Sequence, residues 1–275
     1  MSRSTSIAFA LALVACLSAG VLAQSPSPVP KGHLLIIGGN GTTDDIVRRA
    51  VEAGGGAAGR VAVFPQASEL AETGANAVKM WKDAGMGTAV AIDPKDPAAA
   101  ITAVKEATFI WFPGGDQNRL TKALENTGIP EAIRARYVEG ALVGGTSAGA
   151  AVMSRVMITG EADLQSITAG KTATAPGLAL FPDAILDQHF LKRQRVNRLV
   201  SAVLDHPALV GIGIDETTAI FVTGRSFEVL GKNSVVVIDG RKAAVDRIAV
   251  GLLATGRGLI MSVLKAGMTF SLDKD

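Results

Sequence analysis

An apolar run, Ala141 to Val143, meets Gly144 and Gly145, and Ser147 then stands between Gly145 and Gly149 in a G-x-S-x-G frame. The run predicts a short buried strand broken by the two glycines, and Ala148 to Met153 predicts a helix. Strand, tight turn with serine at the tip, then helix is the geometry of a nucleophile elbow. The sharp turn needs glycine where neighbouring backbone approaches closely. The first N–H groups of the following helix are free to hold a developing oxyanion. The same letters also describe an ordinary glycine-rich connection with a buried serine. A base, an orienting acid and a second oxyanion donor elsewhere in the chain decide between the two.

Before that, the chain opens with a segment outside the fold. Arg3 is followed by an apolar stretch, Ile7 to Val21, and Val21 to Ala23 ends on a small residue, the pattern of a secretory signal over residues 1–23. A rival pattern overlaps it: Leu13 to Cys16 resembles a lipoprotein box with Cys16 as the lipidated residue. Both imply export, periplasmic or secreted. Gln24 to Pro30, rich in proline and serine, predicts an extended tether. Cys16 is the only cysteine, so the mature domain is expected to have no disulfide, thiolate nucleophile or cysteine-based metal site. A net charge of +2 gives no reason to expect a nucleic-acid partner. No later stretch is long and apolar enough for a transmembrane helix.

From Lys31 onward, short apolar runs alternate with amphipathic ones. Strands are expected at His33–Ile37, Arg60–Phe64, Thr88–Ile92 and Phe109–Phe112, with helices at Asp45–Ala53, Glu69–Ala84, Asp96–Glu106, Asn118–Glu125 and Pro130–Glu139. Leu70, Ala77, Val78 and Trp81 would share one side of the second helix. This alternation argues for an α/β fold, doubly wound, with a mostly parallel sheet and helices on both faces. The second half is richer in strand, with runs at Leu209–Ile214, Ala219–Val222, Phe227–Leu230, Ser234–Asp239 and Leu259–Leu264. No linker divides residues 31–275, which are read as one catalytic domain.

Two glycine clusters invite phosphate-binding readings and fail them. Gly38 to Gly41 lacks the third glycine of a dinucleotide fingerprint, because Asp44 stands where it is needed, so the cluster reads as a tight βα turn. Gly54 to Gly56 lacks the Gly-Lys-Ser/Thr of a P-loop. No cofactor is expected. Of the three histidines, His33, His189 and His206, no two have metal-ligand spacing, so no metal is expected. A serine nucleophile needs a base, and His189 is the best candidate because polar groups crowd it. Lys192, Arg193, Arg195 and Arg198 follow on a run that looks helical, which would put Arg195 and Arg198 on one face. They form either a solvated basic face or a carboxylate-binding cluster, with Asp187 and Gln188 at the other end of an acidic or zwitterionic peptide. Truncating Arg195 or Arg198 is then expected mainly to weaken binding. For the acid, Asp215 and Glu216 end an apolar strand, one free to face the site while the other caps the turn. Residues 113–116 offer a second oxyanion donor through a glycine N–H, beside Ala148 N–H.

Four blocks, Gly115 to Gln117, Gly144 to Ala150, Asp187 to Phe190 with the trailing arginines, and Gly211 to Ile220, occur in the order and approximate spacing of cyanophycinases. The chain resembles, from Leu34 to about Gly240, this S51 family of serine peptidases, which also contains aspartyl dipeptidases. The resemblance implies Ser147 as nucleophile, His189 as base and Glu216 as acid. It implies Gln117, Asp187, Gln188, Arg193, Arg195 and Arg198 as substrate-pocket residues. It further implies a fold like class I glutamine amidotransferases, a homodimer, no cofactor, and cleavage of an arginine-bearing poly-aspartate to β-Asp-Arg dipeptides. The export signal departs from the intracellular members and suggests scavenging of external polymer. An α/β-hydrolase esterase would share G-x-S-x-G but carry its histidine last, and no histidine follows His206. A binding protein that kept the fold without catalysis is the remaining rival.

Overall fold

A computed structural model describes residues 29–160, 162–246 and 249–273. The signal pattern, Cys16 and most of the tether lie outside these residues. Two sheets organise the chain. The first holds five parallel strands in the order β3 (Thr88–Ala91), β2 (Arg60–Val63), β4 (Phe109–Phe112), β5 (Leu142–Thr146), β1 (His33–Ile37). Beside β1 it continues with three antiparallel strands, β10 (Thr218–Thr223), β11 (Ser226–Gly231) and β16 (Thr269–Ser271). The sheet is therefore large and mostly parallel, as the alternation of runs predicts.

Alternate residues of β1 face opposite cores. Leu34 and Ile36 join one cluster with α3 (Pro97–Glu106), α4 (Gln117–Leu124), α5 (Ile129–Glu139) and α6 (Ala148–Ala151). Leu35 and Ile37 join the other with α1 (Asp44–Gly54) and α2 (Thr73–Asp83), where Trp81 meets Phe109 and Trp111 edge-on. A strand buried on both faces needs both alternations apolar, and the His33–Ile37 run supplies them.

A second sheet, not anticipated from the sequence, has the order β15 (Ile260–Leu264), β12 (Val235–Asp239), β9 (Val210–Ile214), β8 (Ala184–Gln188), with only β8 and β9 parallel. Its inner residues Leu186, Ile212 and Val237 pack into the α3–α6 side of the first sheet, and α7 (Val196–Asp205) covers its outer face through Leu199 and Val203. Two small ribbons, β6 (Val156–Ile158) with β7 (Thr174–Pro176) and β13 (Ala244–Val245) with β14 (Gly256–Arg257), complete the strands. Among the described residues no helix is long and apolar enough to cross a membrane.

Two local expectations are corrected. The second helix starts at Thr73 rather than Glu69, which leaves Leu70 64% exposed instead of on a buried face. The elbow strand does not break at Gly144. It runs through both glycines to Thr146, because Gly144 lies against the Phe109 and Trp111 rings and the ladder to β1 continues to the Ile37–Thr146 pair.

The layout creates a crevice. After β1 the chain crosses to the α1 face, and after the neighbouring β5 it crosses to the α6 face. Connections that leave adjacent parallel strands on opposite sides open a cleft at their carboxyl ends, where ligands of such sheets bind. Gly38–Asn40 and Ser147 stand at that cleft, and the ends of β8 and β9 in the second sheet bring His189 and Glu216 to it.

Candidate active site

Ser147 follows β5 and caps α6 with φ +54° and ψ −113°, a conformation that a side-chain-bearing residue enters only under strain. The backbone around it holds the turn: Ser147 N–H donates to the Ile37 carbonyl at 3.0 Å. The flanking glycines are steric necessities. A methyl group on Gly149 would fall 2.1 Å from the Phe112 carbonyl oxygen, and one on Gly145 would fall 2.4 Å from the Gly149 carbonyl oxygen. The sequence frame is thus an elbow and not a loose connection.

His189 leaves β8 with φ +47°, its N–H bonded to the Gly38 carbonyl at 2.8 Å. That reversal aims the ring at Ser147, with Nε2 2.9 Å from Oγ. Glu216 lies in the short passage from β9 of the second sheet to β10 of the first, and its Oε1 is 2.7 Å from His189 Nδ1. Asp215 turns the other way and accepts the Lys192 N–H at 3.0 Å, pinning the turn that carries His189. Serine, histidine and glutamate therefore stand in relay geometry, the imidazole between them.

The pocket side chains divide into two kinds. Arg198 is buried in α7 and grips Asp187 with two nitrogens, Nε–Oδ2 being 2.7 Å, while its remaining nitrogen reaches the Gly160 carbonyl. These two residues satisfy each other, so the Arg198 guanidinium is engaged within the fold. The helical reading of residues 192–195 is corrected: they form a turn, and α7 begins at Val196. Arg195 donates to both the carbonyl and the side-chain oxygen of Gln188, at 2.6 and 3.0 Å, with Asp187 3.7 Å away. The Gln188 amide oxygen lies 3.5 Å from Ser147 Oγ. Arg193 is exposed. Gln117 is buried, and its amide donates to the Ile158 carbonyl at 2.9 Å.

On the opposite wall, Gly114 is the glycine that faces the serine: a methyl group there would sit 3.4 Å from Ser147 Cβ. Gly115 follows at φ +141°, closely packed on the Ala67 carbonyl. Ala148 is the first residue of α6, so its N–H has no earlier turn to bond. Among the described residues no group of three or more His, Cys, Asp or Glu is arranged to hold a metal ion.

The sequence marks Gly39 and Asn40 only as part of a tight βα turn. A methyl group on Gly39 would fall 2.3 Å from His189 Cε1, so the imidazole occupies the space that a side chain would fill. Asn40, at φ +54°, donates from Nδ2 to Glu216 Oε2 at 2.9 Å. Their position at the end of β1, beside the elbow strand, was the available signal. A turn composition reports a bend but not what packs into it.

Burial pushes the His189 pKa below the ordinary 6.5, and the nearby Arg193 and Arg195 charges push the same way, outweighing the Glu216 bond that favours the imidazolium. The bond to His189 holds the Glu216 carboxyl below its usual range. Burial and the charge of Arg198 bring Arg195 down to about 10, which leaves it a cation at neutral pH. The shift favours the neutral imidazole. The acid limb of kcat/KM is expected below pH 6.5. Arg193→Gln removes one depressing charge, raises the His189 pKa and moves the limb to higher pH. A pH–rate profile of both proteins checks the sign, and an unmoved limb would separate Arg193 from the base.

An α/β chain with a strained serine elbow in hydrogen-bond relay to histidine and glutamate belongs to the class of serine-type hydrolases. More particularly, the model of Peptidase family S51 matches residues 34–230, and the chain is a member of that family, a serine-type peptidase. It is 36% identical over 222 residues to a cyanophycinase of Geminocystis herdmanii, covering 77% of this chain and 82% of that one. A cyanophycinase of Trichormus variabilis is 36% identical over 220 residues, 76% of this chain and 74% of the relative. Among solved structures, a peptidase from an acI-B1 Actinobacterium superposes with a TM-score of 0.63 at 22% identity, covering 89% of this chain and 98% of that one. The likeness to that structure speaks for the fold alone.

Proposed function

We propose that this chain hydrolyses cyanophycin, multi-L-arginyl-poly-L-aspartate, to β-Asp-Arg dipeptides by acyl transfer through Ser147, His189 and Glu216. The observation that carries the reading is the unbroken relay Ser147 Oγ–His189 Nε2–His189 Nδ1–Glu216 Oε1 at 2.9 and 2.7 Å. The substrate class rests on the similarity to the two cyanophycinases across about three-quarters of the chain. His189 Nε2 takes the Ser147 proton as Oγ attacks an aspartyl α-carbonyl, and the C–N bond breaks as His189 returns that proton to the leaving amine. Water, deprotonated by His189, then releases the acyl group and restores the serine. The N–H groups of Ala148 and Gly115 receive the oxyanion in both tetrahedral intermediates. Arg193 and Arg195 attract substrate carboxylates, Arg195 while fixing Gln188, and Gln117, Asp187 and Arg198 hold the pocket walls in place.

Export belongs to the same proposal and rests on the signal pattern of residues 1–23, with lipidation at Cys16 as its variant. A homodimer is the assembly that the family resemblance favours. Mass spectrometry of digests tests the substrate: purified cyanophycin should yield β-Asp-Arg, while synthetic β-aspartyl dipeptides remain intact. Turnover of the dipeptides with the polymer untouched would replace cyanophycin by small aspartyl peptides.

A further inference from the structure

Glu216 makes two side-chain contacts: Oε1 meets His189, and Oε2 accepts Asn40 Nδ2 at 2.9 Å. We propose that Asn40 is a positioning residue of the hydrolytic reaction, which fixes the plane of the Glu216 carboxylate and through it the imidazole of His189. The proposal rests on the triad reading given above.

A carboxylate with one oxygen on an imidazole is free to rotate about its terminal bond unless the second oxygen is held. Asn40 holds it, and the amide's orientation is unambiguous, because only its NH2 can face a carboxylate. The backbone is arranged to deliver that amide. Asn40 sits at φ +54°, which asparagine tolerates better than most residues. The residues before it are bonded to both arms of the relay: Gly38 accepts His189 N–H, Gly38 N–H donates to Thr218, and Gly39 accepts Thr217 N–H at 2.9 Å. The turn after β1 thus grips the backbones around the base and the acid, and the Asn40 side chain closes the ring. Other charged groups stand around the relay. Arg193, Arg195 and Lys192 approach from the turn after β8, and a cleft beyond Asn40 is lined by Asp44, Asp45 and Lys232.

Two variants separate this role from that of an ordinary exposed turn residue. Asn40→Gly keeps the backbone conformation and removes only the amide. It should lower kcat about tenfold or more while KM stays within about twofold, with an unchanged thermal midpoint. Asn40→Asp keeps the shape but sets a second carboxylate against Glu216. It should raise the His189 pKa, read by NMR titration of the imidazole, by roughly half a unit or more. His189→Gln identifies the resonance among those of the three histidines. The titration needs no substrate, so it judges Asn40 even if the wild-type protein fails to cleave cyanophycin, a failure that would reject the substrate reading instead. Wild-type kcat in Asn40→Gly, together with a wild-type His189 titration in Asn40→Asp, would overturn the proposal.

Discussion

Replacing Ser147 by alanine is expected to lower kcat on the polymer by roughly 10⁴-fold or more, because the nucleophile of a relay cannot be bypassed by its base. The fold should survive. Ser147 is half-buried, and among the described residues its side chain bonds to His189 and Gln188 alone. A glycine at the same position should be equally inactive and more stable. At φ +54° and ψ −113° the serine backbone is strained, and glycine relieves a cost of order 1–3 kcal/mol. Urea unfolding of the serine, alanine and glycine forms measures it: a higher midpoint for glycine, and little change for alanine. Equal midpoints for all three would mean that the elbow stores no strain.

The second large effect falls on stability. Arg198 and Asp187 are 2% and 1% exposed and joined by a two-nitrogen grip along one edge of the guanidinium. Arg198→Met leaves a buried carboxylate whose principal partner has gone, and such breaks cost about 3–5 kcal/mol. That is a large share of the roughly 5–15 kcal/mol that holds a domain folded. Adding Asp187→Leu to Arg198→Met should recover much of the loss, since removing both charges costs less than orphaning one. Arg193→Ala, at an exposed position, should leave the unfolding midpoint in place and act on KM. Were Arg198→Met as stable as the wild type and deficient only in KM, the guanidinium would be a substrate contact after all.

What could be read in the sequence follows from locality. β4 is an apolar run bounded by Thr108 and Pro113, and its expected range matches the structure. The elbow is local too, since its glycines act on neighbours within a few residues or on the adjacent strand. β8 escaped notice because its apolar part, Ala184 to Leu186, is short and ends in Asp187 and Gln188, whose polarity belongs to the site. The second sheet depends on pairings such as Ala184 with Val210, which no local periodicity announces. The arginine run has the spacing of a helix, yet the positive φ of His189 and the Asp215–Lys192 bond hold it in a turn until Val196. Gly39 and Asn40 were legible as a bend only. Their work lies in contacts to residues some 150 or more positions away.

The most direct measurement is peptide mapping by mass spectrometry after treatment with a fluorophosphonate, coupled to the residual rate of polymer cleavage. The relay predicts a single adduct on Ser147, absent in Ser147→Ala and strongly slowed in His189→Ala, with activity falling in proportion to labelling. An adduct on a different serine, or polymer cleavage at the full rate once Ser147 is completely labelled, would contradict it.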